Sequence, residues 1–215
     1  MGIIKSGILG GFRNKTGDVV GSKWRTLDII KGLPRINGKP ASKKQALHRS
    51  KFKLVTEFCS WMSELVDVGY KNLSNTDTPM NVAVAYHLKD AVINDDENFR
   101  LDYSKIAFSQ GRLLLPRAMS AIVTNPSEIL ISWSNYGSEG KYQDDTDIIS
   151  VMVYNQALHE FVTVKSRVVR SAETLVLSLP AEFSGEVVHV YAAFNSTITT
   201  NLVSMTEYLG EVAVV

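Results

Sequence analysis

The chain has 215 residues, of which 45% are hydrophobic and 9% aromatic, and a formal net charge of +1. That composition belongs to a folded globular chain and excludes global disorder. No apolar run approaches the roughly 20 residues that cross a bilayer, so no membrane span is expected.

The start, Met1-Gly2-Ile3-Ile4-Lys5, lacks the long apolar stretch of a secretory signal, and Lys5-Ser6-Gly7 matches a myristoylation start only in part. Synthesis in the cytoplasm is therefore expected. Residues 1–41 read as a glycine-rich β arm. Ile8–Phe12 is followed by turn chemistry at 13–18, a return strand at Val19–Arg25 and a third short strand at Asp28–Lys31. Glycines at 7, 10, 11, 17, 21 and 32 weaken these strands alone but let another backbone approach closely.

Pro34 to Pro40, with Asn37-Gly38 between, reads as a linker. Residues 42–98 form the expected helical segment. Ser42 with Gln45 has capping-box spacing, and Leu47, Leu54, Phe58, Trp61, Met62 and Leu65 repeat with helical period up to a stop at Gly69. Cys59, the single cysteine, falls in this pattern and reads as a buried, inert thiol. Thr78-Pro79 opens a second helix, whose stripe is Met80, Ala83, Val84, His87, Leu88 and Ala91 and whose end is near Asn94. The two suggest a helical hairpin.

From about residue 102 the period becomes two. Strands are expected at 103–109, 120–124, 128–134, 148–154, 161–165, 174–179, 187–194 and 207–214, separated by turn signals. Seven or eight short strands over residues 99–215 predict an immunoglobulin-like or fibronectin-like β-sandwich, with Trp133 and Tyr191 suited to its core. The expected class is α+β, mainly β: a β-hairpin arm, a helical hairpin and a sandwich.

The near-zero net charge hides a polarity. Residues 1–53 carry thirteen lysines and arginines against Asp18 and Asp28, about +11, whereas residues 54–215 carry ten basic against twenty acidic residues, about −10. A chain so divided suits nucleic acid at its basic end, or a second copy of itself with one arm on the next body. The basic patch comprises Arg13, Lys15, Lys23, Arg25, Lys31, Arg35, Lys43, Lys44 and Arg49, with Phe12 and Trp24 interleaved. Basic residues with aromatics can serve single strands by charge and stacking. Short alternating strands with many glycines fit pairing between chains better. Gly10, Gly11, Phe12, Gly17, Gly21 and Trp24 are therefore the candidate assembly residues.

Motifs for catalysis are absent: no nucleophile elbow, phosphate loop, dinucleotide fingerprint or Cys/His cluster. His48, His87, His159 and His189 are far apart and read as packed or surface residues. Asp95-Asp96-Glu97 and Asp144-Asp145-Thr146-Asp147 lack the spacing of a shaped calcium loop and read as solvated turns. Asn72-Leu73-Ser74 and Asn195-Ser196-Thr197 are glycosylation sequons that matter only in an exported chain. No cofactor or metal is expected.

A set of motifs carries a resemblance. It comprises Gly7-Ile8-Leu9-Gly10-Gly11-Phe12, Lys15-x-Gly17-x-Val19-Val20-Gly21-x-x-Trp24, Lys51-Phe52, Met80-Asn81-x-Ala83, Asp102-Tyr103-Ser104-Lys105 and Gly185-x-x-Val188-His189-Val190-Tyr191-x-Ala193-Phe194. Over nearly the whole chain these resemble an uncharacterised domain family found in Bacteroidota. Residues 7–55 are also similar to the opening of many small tailed-phage and prophage proteins. That second likeness implies a virion or phage-like particle component; neither likeness supplies a catalytic residue. The expected function is thus a non-enzymatic structural protein assembling through its arm. Nucleic-acid association through the basic arm and a glycan- or protein-binding surface module are the alternatives.

Overall fold

A computed structural model describes residues 2–4, 11–24, 26–33, 38, 40–73, 77–95, 98–137 and 142–214. The chain is mainly β with a helical part, and its contacts divide it into two compact units, Met1–Ser42 and Lys43–Val215, here the arm and the body. The first division falls one residue from the expected arm boundary. The second, expected between residues 98 and 99, falls inside the body, for a reason that lies in its packing.

The arm is one antiparallel sheet of β1 (Gly2–Ile4), β2 (Asn14–Thr16), β3 (Val19–Trp24) and β4 (Leu27–Gly32), in the order β1-β4-β3-β2. Thr16 pairs with Val19, so Gly17 and Asp18 form a two-residue turn, which Gly17 makes at φ +59°. Residues 8–10 of the expected first strand lie outside the described residues.

The body begins with α1 (Lys43–Trp61), α2 (Ser63–Gly69) and α3 (Pro79–Asp90). The single expected first helix breaks at Met62, and α2 ends at Gly69 as expected. Thr78 caps α3 by accepting the Asn81 N–H at 3.2 Å, with proline at the first helical position. A hairpin the sequence did not suggest follows, β5 (Val92–Asp95) on β6 (Asn98–Leu101). It takes the place of the helix end expected near Asn94, because α3 is already capped at Ala91. The strand expected at 103–109 is instead a single turn, Tyr103–Lys105, held by Asp102 Oδ1, which accepts from the Ser104 N–H at 3.2 Å.

Seven strands complete the body: β7 (Arg117–Asn125), β8 (Glu128–Ser134), β9 (Ile148–Asn155), β10 (Glu160–Val169), β11 (Thr174–Ser178), β12 (Val187–Asn195) and β13 (Glu207–Ala213). They form two antiparallel sheets, ordered β11-β8-β7 and β10-β9-β12-β13. The chain changes sheet between β8 and β9, between β10 and β11, and between β11 and β12.

Period-two alternation explains the layers. Along β9 and β12, Ile149, Val151, Val153, Val188, Val190, Ala192 and Phe194 share a buried core with Ile129, Ile131 and Trp133 of β8 and Leu175 and Leu177 of β11. The intervening residues Met152, Tyr154, Tyr191 and Ala193 face the other way. They share a second core with Val55, Phe58, Cys59, Met62 and Leu65 of the helices. The four-stranded sheet is therefore apolar on both faces. Helices and sheets are one unit because the helices cover a face that water would otherwise wet.

Candidate functional site

Within the arm, register assigns the faces. Gly21, Lys23, Asp28 and Ile30 share one, since Gly21 pairs with Ile30 and Lys23 with Asp28. Phe12 lies over this face, and a Cβ added to Gly21 would come 2.6 Å from Phe12 Cδ2 and closer still to its carbonyl oxygen. A Cβ at Gly11 would run into the Asp28 carboxylate. Two of the predicted assembly glycines thus permit close approach within their own chain. The other face carries Val20, Trp24, Leu27, Ile29 and Ile3, with Lys15 and Lys31 at one end. Ile3 is 55% and Trp24 41% exposed, and among the arm's described residues Gly21 alone is buried.

The basic patch is split between the units. Arg13, Lys15, Lys23 and Lys31 are exposed on the arm, while Lys43, Lys44 and Arg49 are exposed on the first turns of α1. Gly10, Arg25 and Arg35 lie outside the described residues. Arg13, Asn14, Ser22 and Lys23 line a shallow depression of about 420 Å³ in the arm.

In the body, the residues with reactive potential are locked. Cys59 Sγ lies 3.7 Å from His87 Nδ1. His87 Nδ1–H donates to the Ala83 carbonyl at 2.7 Å, and Nε2 accepts the Ala107 N–H at 3.2 Å, so the ring is a neutral, saturated imidazole. Burial lowers its pKa and pushes the Cys59 thiol up to about 12, the reverse of an activated thiolate pair. His189 is likewise buried, with Nδ1 2.9 Å from the Tyr208 hydroxyl. His48 and His159 are exposed.

The 144–147 acids prove structural. Asp144 Oδ1 accepts from the Thr146 N–H at 2.8 Å, and Asp147 Oδ2 accepts from the Asp144 N–H at 3.0 Å and from Arg170 Nε at 3.1 Å. Asp147 and Arg170 are both fully buried. Arg170 Nη2 also donates to the Leu114 carbonyl at 2.6 Å, and its guanidinium lies 4.6 Å over the Phe194 ring. The Arg170 carbonyl accepts from Trp133 Nε1 at 2.8 Å and Asn135 Nδ2 at 2.9 Å. Asp96 and Glu97 of the other acidic run lie outside the described residues. Among the described residues, no three His, Cys, Asp or Glu side chains are grouped to hold a metal ion, and no helix is long and apolar enough to cross a membrane.

One surface of the body escapes sequence reasoning altogether. Trp61 lies off the buried stripe of α1 and is 65% exposed. Its ring runs 14° from parallel to Phe161, with centroids 6.2 Å apart. Phe161 is in turn braced by Tyr154 at 4.5 Å and Phe58 at 5.1 Å. These rings, with Glu57, Arg100 and His159, line an open cleft of about 390 Å³. Its residues span positions 54 to 161, so no local spacing announces it.

The family model for a family of unknown function, DUF6266, matches residues 10–210. The chain belongs to DUF6266. The match spans most of the arm and nearly all of the body, so the two-unit organisation falls within the family's own extent. No curated protein matches the chain.

Proposed function

We propose that this chain is a non-enzymatic structural protein that assembles through its arm. The observation that carries the reading is a four-stranded sheet that, among its described residues, buries one glycine. A sheet needs an apolar face covered to be stable, and the arm's Val20, Leu27 and Ile29 are only partly buried on a face they share with Ile3 and Trp24, which are 55% and 41% exposed. Its edge strands β1 and β2 offer backbone groups to a neighbouring strand. The occupant favoured by charge is another copy, since the arm holds eight basic against two acidic residues whereas residues 43–215 hold fifteen basic against twenty acidic. Such a contact is heterologous and closes into a ring or runs on as a filament. The resemblance of residues 7–55 to the opening of tailed-phage and prophage proteins favours a virion or phage-derived particle as its destination.

The Arg13, Asn14, Ser22 and Lys23 depression supports the second reading, in which the arm meets phosphates. Sedimentation of the full chain at rising salt, with and without DNA, separates the two. Multimers without DNA that dissociate as salt rises support self-assembly. A monomer that gains mass only with DNA supports the second reading and overturns the first.

A further inference from the structure

The aromatic cleft of the body is not used by the assembly reading. From its lining we infer that it is a binding site for a neutral sugar ring of a glycan. Four features converge. First, Trp61 presents an exposed indole that lies 14° from parallel to the Phe161 ring, and Phe161 packs between Tyr154 and Phe58. A large ring held in place on the surface is a preorganised platform, so a ligand that lands on it orders little else. The axial C–H faces of a pyranose stack on such a ring, while its equatorial hydroxyls point outward.

Second, the cleft sets hydrogen-bonding groups of both kinds beside the platform: the Glu57 carboxylate accepts, the Arg100 guanidinium donates, and the His159 imidazole does either. His159 Nδ1 lies 3.2 Å from the Tyr154 hydroxyl, which ties the polar rim to the aromatic floor. A ligand with hydroxyls can satisfy all three; a hydrocarbon can satisfy none.

Third, the charges discriminate. Glu57 and Arg100 place both signs of charge beside the rings, so neither an anion nor a quaternary ammonium finds a lining of one sign. Fourth, the cleft is open, with Trp61 still 65% exposed, which suits a ligand that stays partly hydrated rather than an acyl chain.

The test uses the full chain in native gels cast with neutral polysaccharides: a β-glucan, a mannan, a xylan and a galactan. Trp61→Ala and Glu57→Gln are run beside it, both at exposed positions, with melting temperature as the folding control. At least one polysaccharide should retard the chain, Trp61→Ala should weaken that binding by about tenfold or more, and Glu57→Gln should weaken it less. No retardation in any gel overturns the inference, as does retardation that Trp61→Ala leaves unchanged. Binding lost in Trp61→Ala to a single-stranded oligonucleotide or an extended peptide, without binding to any of the glycans, assigns the cleft to that other ligand and also overturns it.

Discussion

Gly21 and Phe12 meet in the arm so closely that a Cβ on Gly21 would come 2.6 Å from the Phe12 ring. The contact folds the segment before β2 onto the sheet and fixes which face stays open. Gly21→Val is therefore expected to displace Phe12 at a cost of about 1–3 kcal/mol to the arm. Because arm and body are separate compact units, melting of the body should be unchanged while assembly is lost, as measured by calorimetry and sedimentation on the same sample.

Trp133 anchors the core between the two sheets. It is 3% exposed, packs edge-on against Phe194 at 5.5 Å and donates its indole N–H to the Arg170 carbonyl. Trp133→Ala is expected to destabilise the body by about 3–5 kcal/mol in urea unfolding. A cost below about 1 kcal/mol would show that the inter-sheet core does not depend on it.

Arg170 and Asp147 form a fully buried ion pair, and burial pushes the Asp147 carboxyl above its usual range while favouring loss of charge at both groups. Removing one partner strands the other's charge. Arg170→Met is expected to cost about 3–5 kcal/mol. Arg170→Met with Asp147→Leu should cost less than the sum of the two single changes, a coupling that a double-mutant cycle in urea reads directly. Strict additivity would mean that the pair does not act as one.

His87 makes the body sensitive to acid. Its folded pKa is held below the ordinary 6.5, chiefly by burial, so the native state binds fewer protons than the unfolded chain. The stability it contributes is complete above pH 6.5 and is lost as pH falls from there towards the lowered folded value. His189 adds in the same sense, its pKa lowered by burial against the opposing pull of Glu211. His87→Gln is expected to flatten the pH dependence of the urea midpoint below pH 6.5. A midpoint that rises as pH drops would contradict this sign.

Strands were legible wherever one face met a core. Ile129, Ile131 and Trp133 alternate with less buried neighbours, and β8 runs over the expected 128–134. β9 and β12 were also located, but their two-sided burial was not, because alternating apolar residues on both faces read as one continuous apolar run. Trp61 follows Phe58 at helical spacing and so reads as part of the stripe, but it falls on the flank of α1 with half-buried Leu54, off the face of Val55, Phe58, Cys59 and Met62. Arg170, the hub of one end of the body, has no local signal in the sequence, because its buried partner Asp147 lies 23 residues away. The cleft was invisible because Glu57, Arg100 and Phe161 are brought together only by the packing of α1 and the β5–β6 hairpin with the four-stranded sheet.

The arm's role in assembly is tested most directly by light scattering of the full chain beside residues 43–215, at low salt and without nucleic acid. The body carries both buried cores and should remain folded alone. The full chain should scatter at several times the monomer mass, and residues 43–215 at the mass of one copy. A full chain that scatters as a monomer, or a body that assembles equally well without its arm, would contradict that role.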